Sequence, residues 1–231
     1  MRCGLFGKLS AKRDFIALAT PRHFLEAWEP WVQACMSASQ HRLGSDWQQA
    51  FLTAPLWRFW LGADLLGATV LGVFMPSVDG VGRYYPLTLL AMADPSFSIP
   101  PPDFNPHDQW CATAESFLLS TLDRSKSFDD ISSALDGLAA PQMEATVCET
   151  KEICWLGGTT VGTVTAGKTL QGSLTELRRS NHSTLAGASF WWTEGGEGFP
   201  PMALCSHGLP DPFCYSNMLT GEFPGQAIER A

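Results

Sequence analysis

Two apolar runs separated by a polar loop form the clearest pattern in the chain. Residues 70–75 and 84–91 are rich in β-branched, aromatic and aliphatic side chains and are bounded by Gly and Pro, which is typical of buried strands. Gly80 and Gly82 lie in the loop between the runs and allow the positive φ values that a tight reversal needs. The pattern therefore predicts an antiparallel hairpin with a polar turn.

Helical and alternating patterns on both sides of this hairpin predict a layered fold. We expect strands at 3–9, 55–61, 154–165, 188–192 and 202–206, and helices from Thr20-Pro21 onward, from Ser45-Asp46 to Leu52, and at 110–122, 128–138, 170–179 and 212–219. Pro30 is expected to kink or split the first helix. Short loops between successive strands favour a largely antiparallel central sheet with helices packed on both faces, an α+β fold.

A proline-rich segment is the one candidate for a domain boundary. Residues 94–106 hold five Pro and are expected to form an extended surface connection. No Ser/Gly-rich or charge-rich linker divides the sequence. We therefore expect one domain over residues 1–231.

Composition narrows the class of partner and the compartment. The net charge of -8 argues against a nucleic-acid surface and against anionic membrane as the main partner. The N-terminal residues are interrupted by charges, and no apolar run is long enough to span a membrane, so neither a secretory peptide nor membrane insertion is expected. Seven Cys without a disulfide framework fit a reducing compartment. These features favour a soluble, cytoplasmic protein that binds proteins or small molecules.

The charged residues of the central loop are candidates for pairing or recognition. Ser77 and Asp79 are expected to bond nearby backbone N–H groups, and Asp79 and Arg83 lie four residues apart in an otherwise uncharged segment. The two charges either close the hairpin as a structural ion pair or form a recognition loop. Lys8 and Asp14 flank a polar turn near the N-terminus. One of them pairs across the fold with Asp79 or Arg83, or both are simply solvated.

Two aromatic strands carry further candidates. Arg58 lies among aromatic residues and is expected to stack on a ring or to form a buried ion pair. Trp191 and Trp192 are neighbours in a predicted strand, so one ring should lie in the core and the other outward or at an interface.

A phosphate-binding pattern provides the alternative function. Residues 162–169, GTVTAGKT, match G-x-x-x-x-G-K-[ST] at Gly162, Gly167, Lys168 and Thr169. A nucleotide-hydrolysing domain of this type also needs a parallel sheet and a later strand-ending Asp for magnesium, for which the remaining sequence offers no clear candidate. An exposed strand followed by a Gly turn is the favoured interpretation, and a nucleotide-binding switch remains the alternative.

Signals for metal or covalent catalysis are weak. Cys205, His207 and Cys214 lie close in sequence but lack the paired C-x-x-C spacing of structural zinc sites. Neither H-E-x-x-H nor G-x-S-x-G occurs. We expect no metal, no cofactor and no catalytic residues.

Four sequence blocks occur in an order that resembles a known family. GLFGKLSAKRDFI at 4–16, PLWRFW at 55–60, PSVDGVGRYYPL at 76–87 and SFWW at 189–192 are similar to the TagF (ImpM) family of bacterial type VI secretion-associated proteins. Ser10 and Arg13 stand where that family usually has Pro and Gly. A turn that accepts Arg13 is not expected to need positive φ at that position.

The resemblance implies a longin-like fold and a regulatory role. It implies a non-enzymatic cytoplasmic protein that represses assembly of the secretion system after translation, within a threonine-phosphorylation pathway. The implied partners are the forkhead-associated scaffold protein of the system and other secretion-system components. Our hypothesis for the protein-binding surface comprises Lys8, Asp14, Arg58, Ser77, Asp79, Arg83 and Trp192.

Overall fold

A computed structural model describes residues 1–94, 98–142, 153–156, 159–162 and 185–223 of the chain. The strands are β1 (Cys3–Gly7), β2 (Ile16–Leu18), β3 (Trp57–Leu61), β4 (Val70–Met75), β5 (Leu87–Met92), β6 (Ile153–Leu156), β7 (Thr159–Gly162), β8 (Ala188–Thr193) and β9 (Met202–His207). The helices are α1 (Arg22–Leu43), α2 (Trp47–Thr53), α3 (Ala63–Leu66), α4 (Asp108–Ser120), α5 (Phe128–Asp136) and α6 (Cys214–Thr220), with a 3₁₀ turn at Gly44–Asp46.

Seven strands form one antiparallel sheet in the order β2-β1-β5-β4-β3-β8-β9. Every neighbouring pair in this sheet runs antiparallel, which confirms the predicted largely antiparallel arrangement. The sheet takes its strands from both ends of the chain, because β1 and β5 pair in the first half while β8 joins β3 from the second. β6 and β7 form a separate antiparallel pair; the single strand predicted at 154–165 is thus two short strands as far as Gly162.

The predicted central hairpin is β4 and β5, but its second strand begins later than expected. Met75 pairs with Leu87 and Val70 with Met92. Tyr84, where the strand was expected to start, makes only an isolated bridge to Val78. The ladder starts after Pro86, because a proline has no N–H to donate to a neighbouring strand.

Helices cover both faces of the sheet, as predicted. On one face α1 inserts Trp28, whose ring centroid lies 4.6 Å from that of Phe59 on β3 and 5.9 Å from that of Trp191 on β8. On the other face α4 and α5 pack Leu118 and Ile131 against the strands. Since both faces are covered, every residue of β3 and β4 is buried.

Several local predictions are corrected by the fold. The first helix is not split. α1 continues through Pro30, because the proline ring lies on the exposed side of the helix. Asp46 precedes α2 without a side-chain capping bond, since a 3₁₀ turn joins the two helices directly. The segment 94–106 is not wholly on the surface: Ile99 is buried, and its carbonyl accepts a hydrogen bond from the indole of Trp60.

Other predictions lie partly outside the described residues. The helix expected at 170–179 falls there, as does the end of the strand expected at 154–165. Within the described ranges, no helix combines the length and hydrophobicity that crossing a membrane requires.

Candidate functional site

Three loops meet at one end of the sheet and form the surface that we call the charged tip. They are residues 8–15 between β1 and β2, residues 76–86 between β4 and β5, and residues 121–127 between α4 and α5. The first two loops are neighbours because β1 and β4 both pair with β5. All three line a cleft of about 440 Å³, to which Ser10, Gly80 and Arg124 contribute one from each loop.

The Asp79 carboxylate is the centre of the charged tip. Its Oδ1 accepts hydrogen bonds from the backbone N–H groups of Val81 (3.0 Å) and Arg83 (2.9 Å). Its Oδ2 accepts from Lys8 Nζ (2.8 Å) and Arg83 Nε (2.7 Å). The Asp79 side chain has no exposed surface. The predicted pairing of Asp79 with Arg83, and of Lys8 across the fold, is therefore confirmed.

These bonds keep Asp79 ionised. Burial alone would raise the pKa of the carboxyl, but the hydrogen bonds from Lys8 and Arg83 outweigh it and hold the pKa well below its usual range. A carboxylate with four donors and no access to water stabilises the loop rather than contacting a partner directly. Asp79 therefore supports the loop, whereas the side chain of Arg83 is half exposed.

Ser77 joins the same two loops in a way that differs from its predicted role. Its buried hydroxyl donates a 2.7 Å hydrogen bond to the backbone carbonyl of Lys8, whereas it was expected to accept from a nearby N–H. The Ser77 carbonyl in turn accepts from the N–H of Tyr85 at 3.0 Å. Ser77 therefore fastens the central loop to the N-terminal loop.

The two loop glycines have different reasons to be glycine. Gly82 has φ of 89°, as predicted. Gly80 is not in the positive-φ region; a Cβ there would lie 3.0 Å from the carbonyl oxygen of Ser10. Its N–H donates to the carbonyl of Lys12 at 2.8 Å. Gly80 thus permits the close approach of the two loops, while Gly82 permits the reversal.

The N-terminal loop adds an aromatic and an exposed acid. Lys8 Nζ lies 5.2 Å from the ring centroid of Phe15. Asp14 is almost fully exposed, and its Oδ1 lies 3.9 Å from Arg83 Nη2, a separation and exposure at which an ion pair contributes little. Arg83 Nη2 also donates to the carbonyl of Arg13. The φ of Arg13 is not positive, which confirms the expectation drawn from the arginine at that position.

Arg58 forms the predicted buried ion pair beside the tip. Its guanidinium binds both carboxylate oxygens of Glu115 on α4, at 2.6 and 3.1 Å, and Glu194 at 2.7 Å. Burial alone would lower the pKa of Arg58, but the hydrogen bond and charge of Glu115, together with Glu194, raise it above its ordinary value. Trp192 pairs directly opposite Arg58 in the sheet and is half-buried, while Trp191 is fully buried, as the alternation predicted.

The exposed part of the tip differs from the predicted binding surface. Lys8, Arg58, Ser77 and Asp79 are buried and Trp192 is half-buried, whereas Asp14 and Arg83 are exposed. The surface residues that the sequence analysis missed are Lys12, Arg13, Phe15, Val81, Arg124 and Lys126. Lys12, Arg13 and Phe15 lie within the N-terminal block 4–16, and Val81 lies within the block 76–87; these blocks are the one signal that pointed to them. Nothing in the local sequence of Arg124 and Lys126 indicates that they face the central loop.

The alternative nucleotide site falls largely outside the described residues. Gly162 ends β7, which pairs antiparallel with β6; Gly167, Lys168 and Thr169 lie beyond the described ranges. The described sheets are antiparallel throughout, whereas phosphate-loop hydrolases use a parallel sheet.

The cysteine and histidine positions do not form a ligand cluster in the part of the chain that the structure covers. There, no three His, Cys, Asp or Glu side chains are grouped as a metal site requires. Cys205 is exposed and Cys214 half-buried.

Comparisons with known proteins agree with the fold and the sequence blocks. The model of the TagF N-terminal domain, described as type VI secretion system-associated, matches residues 4–138. The crystal structure of PA0076 from Pseudomonas aeruginosa PAO1 matches with a TM-score of 0.76 and 32% sequence identity, over 97% of this chain and 99% of that one. Among curated proteins, none matches. The matched range 4–138 includes the three loops of the charged tip.

Proposed function

Because this chain belongs to the TagF family of type VI secretion-associated proteins, we propose that it represses assembly of the secretion system after translation by binding other proteins in the cytoplasm. The proposed pathway is the threonine-phosphorylation pathway, and the proposed partner is its forkhead-associated scaffold protein, with other secretion-system components as further contacts. The protein acts without catalysing a reaction.

The preformed charged tip is the observation that carries a binding role. Asp79 and Ser77 fix two loops from within, through bonds to Lys8 and Arg83. A surface held in one conformation loses little conformational entropy on binding. Its exposed apolar residues, Phe15 (47% exposed), Val81 (56% exposed) and Leu122 (54% exposed), supply contact area, and the flanking charges supply specificity.

Three of the seven Cys, all buried, are poor candidates for a covalent nucleophile. Burial raises the pKa of Cys111 to about 12. The charge of Arg58 lowers this pKa, and the charges of Glu115 and Asp108 raise it further. Burial also raises the pKa of Cys3 and Cys35. A thiol that stays protonated at neutral pH is a poor nucleophile.

Deletion of the chain in its native host tests the role. Secretion is expected to rise, and wild-type protein supplied from a plasmid is expected to restore repression. Unchanged secretion after deletion would contradict a repressor. The scaffold protein is expected to co-purify with the tagged wild-type chain, and its absence from such preparations would contradict the proposed partner.

A surface variant tests the tip. Val81→Glu places a charge on an exposed side chain whose backbone N–H still bonds Asp79, so the loop is retained. Phe213→Glu is the matched control, because Phe213 is similarly exposed (58%) and lies outside the tip. Val81→Glu is expected to lose repression while Phe213→Glu keeps it. Equal repression by both well-folded variants would remove the tip from the proposal.

A further inference from the structure

Basic side chains are concentrated at the charged tip of an otherwise acidic protein. The described residues include ten of the 15 Lys and Arg of the chain. Six of these ten lie in the three tip loops: Lys8, Lys12, Arg13, Arg83, Arg124 and Lys126. Since the whole chain has a net charge of -8, the tip differs in sign from much of the remaining surface.

Four of the six cations have no ion-pair partner among the described residues. Lys8 and Arg83 are neutralised by Asp79, with Asp14 beside Arg83. Lys12, Arg13, Arg124 and Lys126 make no ion pair there; Lys12 instead lies 4.1 Å from the ring centroid of Phe128.

The nearest acids of the α4–α5 connection are engaged locally. Asp123 accepts hydrogen bonds from the backbone and hydroxyl of Ser125. Asp130 accepts from the backbone and hydroxyl of Ser127 in a capping box at the start of α5. Hydrogen bonds of these hydroxyls and N–H groups lower the pKa of both carboxyls. Lys126 is near these two acids without forming an ion pair with either.

Two clefts present the four cations in pairs. The first, of about 440 Å³, places Arg124 and Lys126 opposite the Gly80–Gly82 turn. The second, of about 380 Å³, is lined by Lys12 and Arg13 with Asp14 beside them, and by the half-exposed ring of Phe15 and by Phe128. Cations beside exposed apolar surface favour a ligand that carries both carboxylates and apolar side chains.

We propose that the charged tip binds an acidic, partly apolar peptide segment of a partner protein. Carboxylates of the segment meet Arg124 and Lys126 in the first cleft and Lys12 and Arg13 in the second, while an apolar side chain packs on Phe15 and Val81. The identification of the ligand as a segment of a protein rests on the proposed binding function. A polynucleotide fits less well, because it carries a phosphate at every residue and would bring one close to the exposed Asp14 carboxylate, whereas a peptide can place an uncharged side chain there.

Titration with a synthetic peptide tests this surface directly. The probe is a fluorescein-labelled peptide of Asp, Glu, Leu and Phe, compared with the same peptide carrying Asn and Gln in place of the acids. Fluorescence anisotropy is expected to show binding of the acidic peptide at least about tenfold tighter than binding of the neutral one, weakening as salt rises from about 0.05 M to about 0.5 M.

Charge-reversal variants locate the binding site. Arg124→Glu combined with Lys126→Glu is expected to weaken binding of the acidic peptide by about tenfold or more, because attraction becomes repulsion in the first cleft. Arg2→Glu combined with Arg22→Glu makes the same change in net charge at exposed positions outside the tip and is expected to bind as the wild type does. Circular dichroism and thermal unfolding confirm that both variants are folded.

Three results would overturn the proposal. They are equal binding of the neutral peptide, equal weakening in both double variants, and tighter binding of a single-stranded oligonucleotide than of the acidic peptide.

If peptide binding follows the expected pattern but deletion of the chain leaves secretion unchanged, the repressor function fails and the acidic-peptide surface stands. If deletion derepresses secretion while Arg124→Glu/Lys126→Glu represses and binds the scaffold protein normally, the repressor function stands and the acidic-peptide surface is not its docking site.

Discussion

Lys8 and Asp79 form a 2.8 Å ion pair between side chains that are 71 residues apart in sequence and almost completely buried. The bond connects the loop after β1 to the loop after β4. Because Asp79 also binds Arg83 and two backbone N–H groups of its own loop, one carboxylate sets both the shape of the central loop and its position against the N-terminal loop.

Replacing Asp79 is expected to destabilise the protein. Asp79→Asn leaves the buried Lys8 ammonium without its counter-charge, and we expect the free energy of unfolding in urea to fall by about 2 kcal/mol or more. Asp14→Asn is the matched control, since its exposed pair with Arg83 contributes about 0.5 kcal/mol or less. Equal effects of the two substitutions would contradict a structural role of the buried pair.

The contribution of Asp79 depends on pH with a definite sign. Its pKa in the folded protein lies well below its usual range, and in the unfolded chain it is about 3.9. The stabilisation is therefore complete above about pH 5 and is lost progressively as the pH falls toward and through the folded-state pKa. The difference in unfolding free energy between wild type and Asp79→Asn should be constant near neutrality and shrink in acid. A difference that grows in acid would contradict the assignment.

Arg58 is expected to need its guanidinium shape as well as its charge. Arg58→Lys loses the two-bond contact with Glu115, and Lys is a poor replacement at such a site. We expect a loss of about 1–3 kcal/mol of unfolding free energy. Glu194→Gln should have a smaller effect, because the Glu194 side chain is 69% exposed. Chemical denaturation compares the variants, and full retention of stability in Arg58→Lys would show that charge alone suffices.

Replacing the buried polar group of Tyr85, unlike replacing Asp79 or Arg58, is not expected to destabilise the protein. Its hydroxyl is buried and has no hydrogen-bond partner in the described structure, and burial raises the pKa of the phenol. Tyr85→Phe removes an unsatisfied group while keeping the ring contacts to Phe6 and Phe15, so stability should be unchanged or higher by about 1 kcal/mol.

A conservative core substitution provides the comparison for Tyr85. Trp28→Phe should destabilise the protein, because it removes the indole donor to Thr88 and leaves a void among packed rings. Thermal unfolding compares the melting temperatures of Tyr85→Phe and Trp28→Phe with that of the wild type. A lower melting temperature for Tyr85→Phe would show that its hydroxyl is in fact satisfied.

Predictions from the sequence succeeded where a contact follows from spacing along the chain. The apolar positions of α1 follow the helical repeat that indicated a helix, and Phe24, Trp28 and Cys35 among them are buried. The alternation in β8 correctly predicted that one of the two neighbouring Trp rings lies in the core, and the structure shows that this is Trp191. The i,i+4 spacing of Asp79 and Arg83 likewise pointed to the ion pair that forms.

Predictions failed where a neighbour distant in sequence decides the outcome. Gly80 was expected to allow the positive φ of a tight reversal, but the close approach of the Ser10 carbonyl is what excludes a side chain there. Ile99 was assigned to a surface connection, but Trp60 on β3 holds its carbonyl.

By itself the sequence determined the class of fold, the central hairpin, the family and the presence of a charged loop, because these depend on periodicity, turn chemistry and ordered motifs. Only the tertiary structure decided that Asp79 is buried beneath the surface it supports and that Arg124 and Lys126 face the central loop across a cleft. The physical reason is that hydrophobic packing of α4 and α5 on the sheet positions their connecting loop. That packing sums many distant contacts, and no local pattern encodes where the charges on such a loop come to lie.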